Sequence, residues 1–136
     1  MSLPVTNNVQ LGVSVARVYA GDGQLAYGRF VATLVKQLPS LIEDRLHAAV
    51  GISGEAGELL DAIKKNWVYN KPLDHENVKE ELGDLMFYIT ALMMLEGLTM
   101  QEVLQSNADK LSERYKGLQY SDEAAQARAD KQNEAG

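Results

Sequence analysis

Two pairs of carboxylates stand out by type and spacing. Glu55 and Glu58 lie three residues apart, and Glu81 and Asp84 repeat the interval. On a helix, positions i and i+3 project about 60° apart with Cβ atoms roughly 5–6 Å apart, so each pair shares a side. If the two helices pack antiparallel, four carboxylates face one another across one seam. Oxygen-only donors of this kind suit the hard cations Mg²⁺ and Mn²⁺, and without a cation they would repel strongly. A lone Glu-x-x-Glu on a helix is more often a solvated face. Two details argue against that here. Both pairs lie against apolar residues, Glu58 before Leu59 and Leu60 and Asp84 between Leu82 and Leu85. Both also enclose a glycine, Gly57 and Gly83, where alanine would favour the helix by roughly 1 kcal/mol.

Cationic and aromatic groups follow at helical spacing. Lys64 and Lys65 come two turns after Glu58; Lys65 is also placed for a surface pair with Asp61 at i, i+4. Lys110 and Arg114 are spaced i, i+4, with Asn107 one turn earlier. Tyr88 lies one turn past Asp84, as a core tyrosine with its hydroxyl at the seam edge or as a substrate contact. Trp67 reads as packing rather than base stacking. His47 and His75 lack a Glu-x-x-His arrangement, which disfavours a di-iron bundle site.

The elements that must carry these residues are helical. Leu25, Phe30, Val31, Leu34, Val35 and Leu38 predict a short amphipathic helix ending before Pro39. Ser40 with Glu43 reads as a capping box opening a second helix. Its apolar face is Leu46, Ala49, Val50, Ala56, Leu59, Leu60, Ile63 and Trp67, to about residue 67. Gly51, Gly54 and Gly57 lie near one side of it and would admit a close neighbour. After an Asn70–Leu73 loop, Asp74 caps a third helix to about Glu96, with Val78, Leu82, Leu85, Ile89 and Leu92 inward and Gly97 as its stop. Thr99 with Glu102 is a second capping box, opening a helix that Gly117 ends. Residues 1–24 differ: Val9, Leu11, Val13 and Val15 alternate with Gln10, Gly12 and Ser14, the period of a short β segment. The expected organisation is an N-terminal arm (1–24), a helical domain (25–120) and a polar tail (121–136). The fold class is all-α, a small antiparallel helical bundle.

Composition narrows the chemistry. The chain has 136 residues, 46% hydrophobic and 24% charged, with no cysteine and two histidines. That size holds one hydrophobic core. Disulfides, thiolate zinc sites and thiol catalysis are excluded. Thirteen basic against nineteen acidic residues leave a net charge of −6, which argues against nucleic-acid and anionic-membrane partners. No apolar run approaches the roughly 20 residues of a membrane span, and no signal peptide opens the chain. A soluble, cytoplasmic protein is expected.

The segments Gly54-Glu55-Ala56-Gly57-Glu58-Leu59-Leu60-Asp61-Ala62-Ile63-Lys64-Lys65 and Glu80-Glu81-Leu82-Gly83-Asp84-Leu85-Met86-Phe87-Tyr88-Ile89 resemble, in order, the two signatures of the MazG-like nucleotide pyrophosphohydrolases. Asn107-Ala108-Asp109-Lys110-Leu111 with Arg114-Tyr115 resembles that family's downstream stretch. The resemblance covers about residues 40–120. It departs at Gly54, where some members carry a further glutamate. It implies an all-α bundle acting as an oligomer, a homodimer or homotetramer with sites near subunit interfaces. Glu55, Glu58, Glu81 and Asp84 would bind Mg²⁺, with Mn²⁺ as a substitute. The implied activity is hydrolysis of a nucleoside triphosphate to the monophosphate and pyrophosphate, with Glu55 or Glu58 as base. Lys64, Lys65, Lys110 and Arg114 would neutralise phosphate charge, and Tyr88 and Asn107 complete the expected substrate contacts. The competing reading is a helical interaction or regulatory protein that keeps the core without turnover; Mg²⁺-dependent pyrophosphate release separates the two.

Overall fold

The computed structural model describes residues 23–132, so the alternating segment Val9–Val15 lies outside the described residues. These residues form helices and no strand. They divide between Gly97 and Leu98 into two compact units.

The first unit contains α1 (Gly23–Leu34), α2 (Leu41–Tyr69) and α3 (His75–Leu95). Helix α1 stops before Leu38, four residues short of the apolar pattern. The Leu38 amide donates to Asp44 Oδ1 at 2.9 Å instead of continuing the ladder, and Pro39 disfavours helical geometry at the residue before it. Ser40 caps α2, accepting from the Glu43 amide at 3.2 Å. The Glu43 carboxylate takes the serine hydroxyl at 2.7 Å. Asn70, left-handed at φ 49°, ends α2. The Asn66 side chain donates to the Lys71 carbonyl at 2.6 Å, closing the turn. Asp74 then caps α3 through the Asn77 amide at 3.1 Å.

Helices α2 and α3 run antiparallel, because partners move in opposite directions along the two. Arg45 at the start of α2 pairs with Glu96 at the end of α3. His47 meets the Tyr88 ring edge-on, centroids 5.9 Å apart, and Glu55 lies beside Glu81 and Asp84. The seam is thin. Ala48, Ala62, Ala91 and Met93 are buried in it and in the layer beneath α1, where Val31 is wholly buried.

The inward face of α2 is not the one its large residues suggest. Ala48, Glu55, Leu59 and Ala62 follow the buried or half-buried period, whereas Leu46, Val50, Leu60 and Trp67 are 62%, 61%, 66% and 83% exposed. The helix is apolar on two sides, and small residues take the seam because they let α3 approach. Leu82, expected inward on α3, is likewise exposed.

The glycines divide the same way. A Cβ at Gly51 would fall 2.3 Å from the Tyr88 ring, while Gly54, Gly57 and Gly83 have open space around them. The close approach is thus made at Gly51 and by a side chain.

In the second unit the Thr99–Glu102 capping box is complete and opens α4 (Met100–Arg114). A 3₁₀ turn (Lys116–Leu118) leads to α5 (Asp122–Ala127) and α6 (Ala129–Gln132). The tail that follows residue 120 is therefore helical as far as Gln132.

Gly51→Ala should destabilise the protein by about 1–3 kcal/mol, since the Tyr88 ring is held by His47 and Phe87 and cannot easily yield. Gly83→Ala, in open space, should stabilise it by up to about 1 kcal/mol. Chemical denaturation of the two variants checks both signs.

Candidate metal centre

The candidate site sits on the α2–α3 seam. Glu55 shares the buried face of α2 with Ala48 and Ala62, and Glu81 is half-buried on α3 between Val78 and Leu85. Oxygens of Glu55, Glu81 and Asp84 all lie within 4.8 Å of one another. Both acidic motifs thus contribute to one cluster, with Asp84 at its exposed side. Glu58, one turn on from Glu55, is exposed and stands outside this trio. Its charge still acts on Glu81.

Glu81 bears the cost of the crowding. Loss of hydration raises its proton affinity first; the charges of Glu55, Glu58 and Asp84 and a hydrogen bond with Glu55 raise it further. Such a group is the natural place for a cation to replace a proton. The donor set passes a simple test of fit. Octahedral Mg²⁺ needs oxygens at about 2.1 Å, hence at most about 4.2 Å from one another. The bound of 4.8 Å on the trio's oxygens stands close to that limit.

The remaining sequence-derived residues are placed variously. Tyr88 packs on the seam against His47, Phe87 and the space at Gly51, so its ring is a packing element. Lys65 pairs with Asp61 at 2.6 Å, and this hydrogen bond raises its pKa, with a smaller contribution from Glu58. Lys64 is exposed on α2, and Asn107 and Lys110 are exposed on α4. Arg114 is held by Asp130 of α6 through two hydrogen bonds.

One group near the site was not anticipated. Tyr27 on α1 has its phenol pKa raised by burial and then by the charge of Asp84, so α1 brings a hydroxyl toward the acidic cluster. A single tyrosine on a short helix carries no spacing signal that could have revealed it.

The stability consequence has a definite sign. Glu81 has a folded-state pKa above the ordinary glutamate value of 4.5, so its ionisation destabilises the metal-free fold at neutral pH. The penalty is absent below the unfolded-state value and grows as pH rises through the raised one. Glu81→Gln should therefore raise the Tm of chelator-treated protein at pH 7, and the gain should vanish as the pH falls towards 4.5. Thermal melts across that range measure it.

Among the described residues no single helix is long and apolar enough to cross a membrane. No solved structure matches the chain. A similar protein is the "Gene 37 protein" of Mycobacterium phage L5, 31% identical over 78 residues, covering 54% of this chain and 68% of the phage protein. The MazG nucleotide pyrophosphohydrolase domain matches residues 45–118. That stretch contains both acidic pairs and the helices that bring them together. The chain belongs to the MazG nucleotide pyrophosphohydrolase family.

Proposed function

We propose that this protein hydrolyses a nucleoside triphosphate, ribo or deoxy, to the monophosphate and pyrophosphate in the cytoplasm. The observation that carries this reading is the convergence of Glu55, Glu81 and Asp84 on one seam. A triphosphate bears about four negative charges, and three carboxylates would repel it unless cations stood between. The family is typically metal-dependent, and Mg²⁺ is the proposed ion, with Mn²⁺ able to replace it. Glu55, Glu81 and Asp84 would hold it, joined by Glu58 after a side-chain rotation. Bound there, it would supply charge neutralisation to the phosphate oxygens.

The chain's own groups do the rest. Glu55 or Glu58 accepts the proton of the attacking water as its oxygen bonds to phosphorus. The anhydride bond between α- and β-phosphates breaks, and pyrophosphate leaves with the bonding electrons. Lys64 and Lys65 offset phosphate charge from α2; the resemblance implies the same role for Lys110 and Arg114, and a substrate contact for Asn107. Tyr88 supports Glu81 by fixing the seam, and its hydroxyl is the proposed substrate contact.

The working form is proposed to be a homodimer or homotetramer. The exposed side of α2, with Leu46, Val50, Leu60 and Trp67 around open Gly54 and Gly57, supports this, since large exposed apolar side chains gathered on one helix suit a partner surface.

Chelation should abolish turnover, and added Mg²⁺ should restore it. Glu58→Gln and Asp84→Asn should each lower the rate at least about 10²-fold while the protein stays folded. Product analysis should find monophosphate plus pyrophosphate; diphosphate plus phosphate would refute the cleavage position. Light scattering should give a mass above the 15.0 kDa of one chain.

A further inference from the structure

We propose that Asp130 is a positioning residue for Arg114: its buried carboxylate grips one edge of the guanidinium and so presents the other edge to an oligophosphate. The inference rests on the reading of Arg114 as a phosphate ligand. Asp130 is the one charged residue buried among the described residues, and a buried carboxylate is costly unless paired. Its partner is Arg114, with Nε donating to Oδ1 at 2.6 Å and Nη2 donating to Oδ2 at 2.9 Å.

This side-on pairing uses two of the five N–H donors of a guanidinium. The two on Nη1 and the second on Nη2 point away from the carboxylate, along the edge whose paired donors match a phosphate. The exposure of the pair decides its sense. The Asp130 side chain is 2% exposed and that of Arg114 17%, so what solvent reaches is the arginine. A carboxylate serving as a plug would lie on the outer side instead.

The backbone is bent to make this contact. Leu118 and Arg128 adopt left-handed conformations at φ 55° and 48°, a region that residues other than glycine rarely enter. Arg128 ends α5 and turns the chain so that α6 carries Asp130 back to the end of α4. A guanidinium fixed in advance loses less side-chain entropy on binding than a free one. Lys110, one turn earlier, is exposed.

The test uses the full chain, with inorganic tripolyphosphate and Mg²⁺ as the calorimetric probe beside steady-state kinetics on nucleoside triphosphates. Asp130→Asn should weaken tripolyphosphate binding about tenfold, the loss of one charge-assisted contact, and raise KM by a similar factor with kcat little changed. Arg114→Ala should do the same, and the double variant should be no worse than Arg114→Ala alone. Should Asp130→Asn not fold, Asp130→Glu keeps the charge but displaces the guanidinium, and it should still bind more weakly than wild type. Unchanged or tighter binding in a folded Asp130 variant overturns the proposal, tighter binding marking Asp130 as a plug. No tripolyphosphate binding by the wild type also overturns it. Wild-type binding without turnover, weakened by the Asp130 variants, refutes the hydrolase reading and leaves the positioning role standing.

Discussion

Placing like charges on a helix packing seam is the constraint around which the first unit is arranged. Glu55 and Glu81 occupy positions where the 3.6-residue period calls for apolar side chains, and each stands within the other's field. The repulsion must be offset by contacts elsewhere along the hairpin. They are found towards its open end: the Arg45–Glu96 pair, the His47–Tyr88 edge contact, and the Tyr88 ring lying in the space left by Gly51. The seam is thus apolar and aromatic at one end and acidic further along. Helix α1 covers it with Val31 buried, and it brings Tyr27 near Asp84.

The local features of this arrangement were legible in the residues. Ser40, Asp74 and Thr99 cap helices where capping chemistry predicts, and Gly97, at φ 67°, follows the end of α3. The acidic pairs could be assigned to one seam because i, i+3 spacing needs only a helix. Which side of α2 faces α3 was not legible. Leu46, Val50, Leu60 and Trp67 form as good a stripe as the alanines do, and periodicity cannot tell a tertiary face from another apolar face. The purpose of the glycines was hidden for the same reason: Gly51 answers to a ring that is distant in sequence, while Gly57 and Gly83 meet nothing among the described residues.

The second unit shows a different limit. Lys110 and Arg114 look equivalent on a helical wheel, both cations near the end of α4. Only the return of the chain through left-handed Leu118 and Arg128 separates them, by giving Arg114 a buried acidic partner. The tail of residues 121–132, polar and alanine-rich, offers no hydrophobic pattern to announce that it folds back. The organising contact is a charge pair, which composition does not reveal.

The five-residue connection between α2 and α3, Asn70 to Asp74, lies at the end of the hairpin away from the Arg45–Glu96 pair. The acidic cluster is thus held from the open end. The exposed stretch from Trp67 to Pro72 forms a promontory beyond it. Residues can be gained or lost there without altering the phase of Glu55 against Glu81, since both helices are registered at the end away from the tip. The distance along the sequence between the two acidic motifs is therefore free to drift, while the distance across the seam is not. A loop this remote from the register contacts can change length, or accept an inserted segment, without disturbing the carboxylates.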